Sequence, residues 1–108
     1  MGLTREDAKA CVGPGWARLI DFFYDHIEDN KGTYKDIEVN QVKEKFGGLR
    51  IYFHGGNDFL EGIAWALEWW SITLCEICGK PGKPNHSRSW IKTECEEHWT
   101  ATKEDRSG

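Results

Sequence analysis

The chain has 108 residues, 39% of them hydrophobic and 30% charged, with a formal net charge of −4 and six tryptophans. That length supports one domain with a thin core, and the composition excludes a disordered chain. The acidic balance makes the molecule as a whole a poor match for a phosphate backbone, so any nucleic-acid role has to be local. No apolar run reaches the roughly 20 residues that span a bilayer, and the stretch from Met1 to Asp7 lacks the basic-then-apolar layout of a signal peptide. Glu6 stands where an N-myristoylation pattern wants Ser or Thr. The expected setting is a reducing cytoplasm, with no membrane role.

Residues 1–34 read as two helices. Thr4 with Asp7 three positions on predicts an N-cap and a short helix through about Ala10, which Gly13-Pro14-Gly15 breaks. From Trp16 the apolar positions Leu19, Ile20, Phe23, Tyr24 and Ile27 recur at three and four, predicting an amphipathic helix that ends near Asp29. Cys11 lies far from the other cysteines and is expected to be a buried small apolar residue.

Residues 35–56 alternate instead. Leu49, Ile51 and Phe53 point one way and Arg50, Tyr52 and His54 the other, which predicts a β-hairpin with Gly47-Gly48 between its arms. The first arm changes phase between Val39 and Val42, the signature of a bulge or a late strand start. Lys43, Lys45 and Arg50 flank the turn; on exposed strands such cations usually block edge pairing.

Residues 57–74 predict a long helix capped by Asn57 or Asp58, with Leu60, Ile63, Ala64, Leu67 and Leu74 as its inner stripe. Its other side is not properly polar, because Phe59, Trp65, Trp69 and Ile72 line it. Either the hairpin and the first helices cover that side, or the surface of Trp65, Trp69 and Trp70 meets another molecule, a partner protein or a second copy of the chain.

Residues 75–99 carry the chemistry, ahead of a polar tail at 100–108. Cys75-Glu76-Ile77-Cys78-Gly79 and Cys95-Glu96-Glu97-His98 are two two-residue-spaced pairs, the arrangement that a single tetrahedral zinc ion takes from a small domain. Three thiolates and an imidazole fill that tetrahedron and leave no position for water, so the expected zinc is structural. His86 is the rival fourth ligand, and His98 is preferred because it pairs with Cys95. Between the pairs, Lys80, Lys83, Arg88 and Lys92 surround Trp90 with no acid from Gly79 to Thr93. Such a loop suits phosphates and a stacked base, although Glu94, Glu96 and Glu97 follow at once. Two enzyme readings fare worse. His26-Ile27-Glu28 before Cys75-x-x-Cys78 imitates a zinc-deaminase signature, but on a helix end, without the proline, and with Cys95 and His98 left idle. A nuclease would need more near the finger than His86 and Asn85.

The run from Gln41 to Tyr52, Gln-Val-Lys-Glu-Lys-Phe-Gly-Gly-Leu-Arg-Ile-Tyr, followed by a helix and the two ligand pairs, resembles a group of small proteins encoded by bacteriophages and prophages. The likeness covers roughly residues 35 to 99. It brings no activity; it implies a bacterial or viral cytoplasmic setting and a protein that binds and modulates a host factor. The expected fold is α+β: two N-terminal helices, a β-hairpin, a long tryptophan-rich helix and a C-terminal zinc-knuckle and ribbon module. The expected function is non-catalytic binding of a host protein, with nucleic-acid or nucleotide binding through the basic loop as the alternative.

Overall fold

The computed structural model describes residues 2–87 and 89–99; the expected polar tail and Arg88 of the basic loop lie outside them. The described chain is a mixed α and β structure with a Cys/His cluster near its C-terminal end. Helix α1 (Arg5–Ala10) opens on a capping box: the Thr4 hydroxyl accepts from the Asp7 amide at 3.1 Å, and the Asp7 carboxylate accepts from the Thr4 amide at 3.2 Å. A 3-10 turn (Pro14–Trp16) leads into α2 (Ala17–Asp29). Across these helices the Arg5 guanidinium reaches Asp21 and Asp25 at 2.8 Å and Glu28 at 3.0 Å, and Lys9 reaches Asp21 at 2.8 Å.

Strands β1 (Glu38–Lys45) and β2 (Gly48–His54) form an antiparallel hairpin whose register shifts between Val39 and Gln41, at the phase change visible in the sequence. The turn is Phe46-Gly47, not Gly47-Gly48. Both turn residues have positive φ, 55° at Phe46 and 81° at Gly47, the pattern that matches strand twist in a two-residue turn. Gly48 is already a buried strand residue, with the Ile72 and Glu68 side chains close by. A phenylalanine held left-handed costs about 1 kcal/mol, which Gly at the same place would not incur.

Helix α3 (Asp58–Ser71) starts at Asn57, whose side chain accepts from the Leu60 amide at 2.9 Å. It stops three residues before the expected Leu74: the Thr73 and Leu74 amides bond three residues back to the Trp70 and Ser71 carbonyls at 3.0 and 3.1 Å, and side chains add to that tightened end. The Thr73 hydroxyl donates to the Trp70 carbonyl at 2.6 Å, and the buried Trp16 indole N–H is shared between the carbonyls of Ser71 at 3.1 Å and Leu74 at 2.9 Å. A residue 55 positions upstream in the chain thereby holds the last carbonyl of the helix.

The core joins Trp16, Leu19, Ile20 and Phe23 of the N-terminal segment to Val42, Leu49 and Ile51 of the hairpin and to Leu60 and Leu67 of α3. Each large side chain fully buried here contributes ~1.5–3 kcal/mol. A second antiparallel pair, β3 (Lys83–Asn85) with β4 (Lys92–Glu94), follows α3. Its Thr93 hydroxyl donates to the Gly47 carbonyl at 2.6 Å, tying this ribbon to the hairpin turn. Among the described residues, no helix is long and apolar enough to cross a membrane.

Candidate metal centre

The cluster is assembled by backbone bonds before any side chain is considered. Beyond α3 the chain reverses around Cys75: its amide donates to the Lys80 carbonyl at 2.8 Å, and its carbonyl accepts from the Gly79 amide at 2.9 Å. Gly79 sits at φ 81°, the left-handed conformation that a knuckle of this kind requires. Leu74 bridges to Pro81, and the Gly82 amide donates to the Thr73 carbonyl at 2.9 Å, which closes the loop at its base. On the other arm, the His98 amide donates to the Cys95 carbonyl at 3.2 Å, folding Cys95 and His98 toward one point.

The donor atoms of Cys75, Cys78, Cys95 and His98 all lie within 4.8 Å of one another. The Cys78 and Cys95 sulfurs are 3.6 Å apart, and His98 Nδ1 is 3.6 Å from the Cys75 sulfur and 3.2 Å from that of Cys95. A tetrahedral ion with Zn–S near 2.3 Å and Zn–N near 2.0 Å has edges of about 3.8 Å between sulfurs and about 3.5 Å between sulfur and nitrogen. The spacing fits a bound cation, and it is far longer than the ~2.05 Å of a disulfide. All four cysteines are free thiols. Soft thiolates with an imidazole suit a metal of the zinc or iron type.

Electrostatics agree with the geometry. Burial pushes the Cys75 thiol up, but bonds from the backbone amides of Cys78, Cys95 and Ile77 and from His98 outweigh it and hold the group at about 6. Cys78 moves the other way: the Lys80 amide lowers it, yet burial and the adjacent sulfurs of Cys95 and Cys75 leave it raised. Three sulfurs this close resist sharing negative charge unless a cation lies between them.

The structure separates the remaining cysteine and histidine candidates. Cys11 is exposed rather than buried; it caps α1 and its thiol donates to the Asp7 carbonyl at 3.3 Å. Its place at a helix end, over solvent, overrides its apolar preference. His98 stands in the cluster, and His86 does not.

The basic loop is partly answered by acids. Lys80 pairs with Glu97 at 2.9 Å, and Lys92 pairs with Glu76 at 3.1 Å. Lys83 lies over the Trp99 ring, 5.7 Å from its centroid. The Trp90 indole donates to Glu44 of the hairpin at 2.8 Å. Trp65 and Trp69 pack edge to face with each other on α3, and Trp70 does so with Phe22 of α2. All three tryptophans remain exposed.

Glu76 is the residue that sequence reasoning missed. It sits between two ligands and is buried. Its amide donates to the Thr93 carbonyl at 3.0 Å, its carbonyl accepts from Gly15 at 2.7 Å, and its carboxylate accepts from the Thr93 amide at 2.8 Å. One residue thereby joins the knuckle, the ribbon and the Gly13-Pro14-Gly15 turn. The available signal was that turn, whose two glycines suggested close approach as well as a break. No family model, curated protein or solved structure matches the chain.

Proposed function

We propose that the chain is a small, non-catalytic, zinc-stabilised binding protein of phage or prophage type that grips and modulates a host protein, acting as an anti-defence or host-takeover factor. The observation that carries this reading is the outward face of α3, where Trp65 is 64% and Trp69 56% exposed. Trp70, Phe59 and Phe22 are exposed with them. Large aromatics left open in a small domain are the anchors that fill pockets on a partner, and tryptophan leads among such anchors. The Cys/His cluster supports a structural role for zinc, because four protein donors leave no coordination position for a substrate. Reduced thiols suit the cytoplasm of a bacterium or infected host.

The alternative, nucleic acid gripped by the loop from Lys80 to Lys92, draws less support, since Glu97 and Glu76 already answer Lys80 and Lys92. Capture from bacterial lysate with the wild type and with Trp69→Glu tests the leading reading. A partner retained by the wild type and lost by the variant is the expected result; equal recovery by both excludes the tryptophan face.

A further inference from the structure

The hairpin carries a second surface, on different residues from the tryptophan face of α3 and independent of the role given to that face. On the side turned away from Val42, Leu49 and Ile51, Gln41 pairs with Tyr52 and Lys43 with Arg50, and Lys45 follows on the same face opposite the covered Gly48. Gln41, Lys43, Lys45, Arg50 and Tyr52 include no acid, in a chain whose net charge is −4. Lys43 and Arg50 are like charges set directly opposite each other, an arrangement that an isolated sheet disfavours. Glu68 of α3 answers Arg50 at 3.1 Å. Among the described residues no ion pair engages Lys43 or Lys45; their ammonium groups lie over the rings of Tyr52 and Phe46, 5.6 and 5.8 Å from the centroids.

The tip of the hairpin adds two exposed aromatics, Phe46 of the turn and Trp90 of the ribbon loop. Phe46 is 66% exposed at a turn position with φ 55°, where asparagine or glycine would sit more easily. Trp90 is 61% exposed, and its indole N–H is fixed by Glu44, whose other carboxylate oxygen accepts the Gly47 amide at 2.8 Å. A single carboxylate thus orients both the turn that presents Phe46 and the indole beside it. Between them lies a cleft of ≈ 210 Å³ lined by Lys45, Phe46, Ser89, Trp90 and Ile91.

We propose that this tip binds single-stranded nucleic acid: a base stacks in the cleft against Phe46 and Trp90, and the adjoining phosphates run over Lys45 and Lys43. Preset rings supply a sequence-tolerant platform, and ammonium groups without acidic partners supply the complement to a polyanion.

The test is fluorescence anisotropy with labelled oligothymidylate and oligouridylate of about a dozen nucleotides, long enough to cover a small binding face. Binding is expected at low salt, and Lys43→Ala with Lys45→Ala should flatten the logarithmic salt dependence by about 1.4, at about 0.7 per phosphate. Trp90→Ala and Phe46→Asn should each weaken binding about tenfold. Phe46→Asn is the discriminating variant, because asparagine suits the turn: its melting temperature should not fall, so lost binding cannot be blamed on lost fold. Absence of binding at low salt, wild-type affinity in Phe46→Asn and Trp90→Ala, or displacement by polyglutamate as effective as by unlabelled oligonucleotide would each overturn the proposal. Trp69→Glu should bind oligonucleotide as the wild type does, which keeps this surface distinct from the α3 face.

Discussion

Gly15 and Cys75 meet backbone to backbone: a β-carbon at position 15 would overlap the Cys75 carbonyl oxygen and crowd the Gly79 amide. The N-terminal turn is thus seated on the Cys75–Gly79 knuckle, and the Gly15 amide is bonded to the Glu76 carbonyl at 2.7 Å. Gly15→Ala should destabilise the fold by about 3 kcal/mol, the upper range for overpacking, because the obstructing atoms are backbone. A lowered urea midpoint at unchanged slope is the expected reading; an unchanged midpoint would show that the turn can lift off the knuckle without cost.

How legible this arrangement was in the sequence depended on the range of the interaction. The Thr4 cap, the α2 stripe, the alternation from Leu49 and the paired spacing around Cys75 and Cys95 are local patterns, and each appears where it was expected. The end of α3 was not legible, because the Trp16 indole that holds its last carbonyl comes from far upstream. The turn at Phe46-Gly47 was missed because a bulky residue in the left-handed region is contrary to propensity, and a following Gly48 offered a more conventional choice. Cys11 was misplaced because composition cannot say which side of a helix end faces solvent.

The four-donor cluster predicts one metal ion per folded chain. His98→Ala should reduce bound metal sharply, whereas His86→Ala and Cys11→Ser should leave the stoichiometry near one by elemental analysis. Chelation should unfold the segment after α3, because structural zinc supplies on the order of 10 kcal/mol of folding free energy in small domains. Full metal content in His98→Ala would remove that residue from the ligand set.

The shared Trp16 N–H serves the carbonyls of two buried residues, Ser71, which also accepts from the Leu74 amide at 3.1 Å, and Leu74. Trp16→Phe keeps most of the apolar volume but leaves the Ser71 and Leu74 carbonyls without this donor. Together with the small void, that should cost about 3 kcal/mol. Amide hydrogen exchange should quicken at Thr73 to Cys75 in the variant. Uniform acceleration across the whole chain with no local excess would place the effect in global packing instead.

Asp21 supplies a pH dependence with a definite sign. Hydrogen bonds from Lys9 and then Arg5 hold its carboxyl below the ordinary value of 3.8, against the opposing effect of burial. A group depressed in the folded state contributes stability that is present above its unfolded value and is lost as pH falls through the folded one. The difference in urea midpoint between the wild type and Asp21→Asn should therefore be full at neutral pH, shrink as pH falls below about 4, and vanish in stronger acid. The comparison has to be a difference between the two proteins, since protonation of the clustered thiols would weaken both alike if they hold a metal. A difference that stayed constant through acid would mean that the Asn variant loses packing rather than a charge, and that the Arg5 and Lys9 clasp between α1 and α2 adds nothing electrostatic.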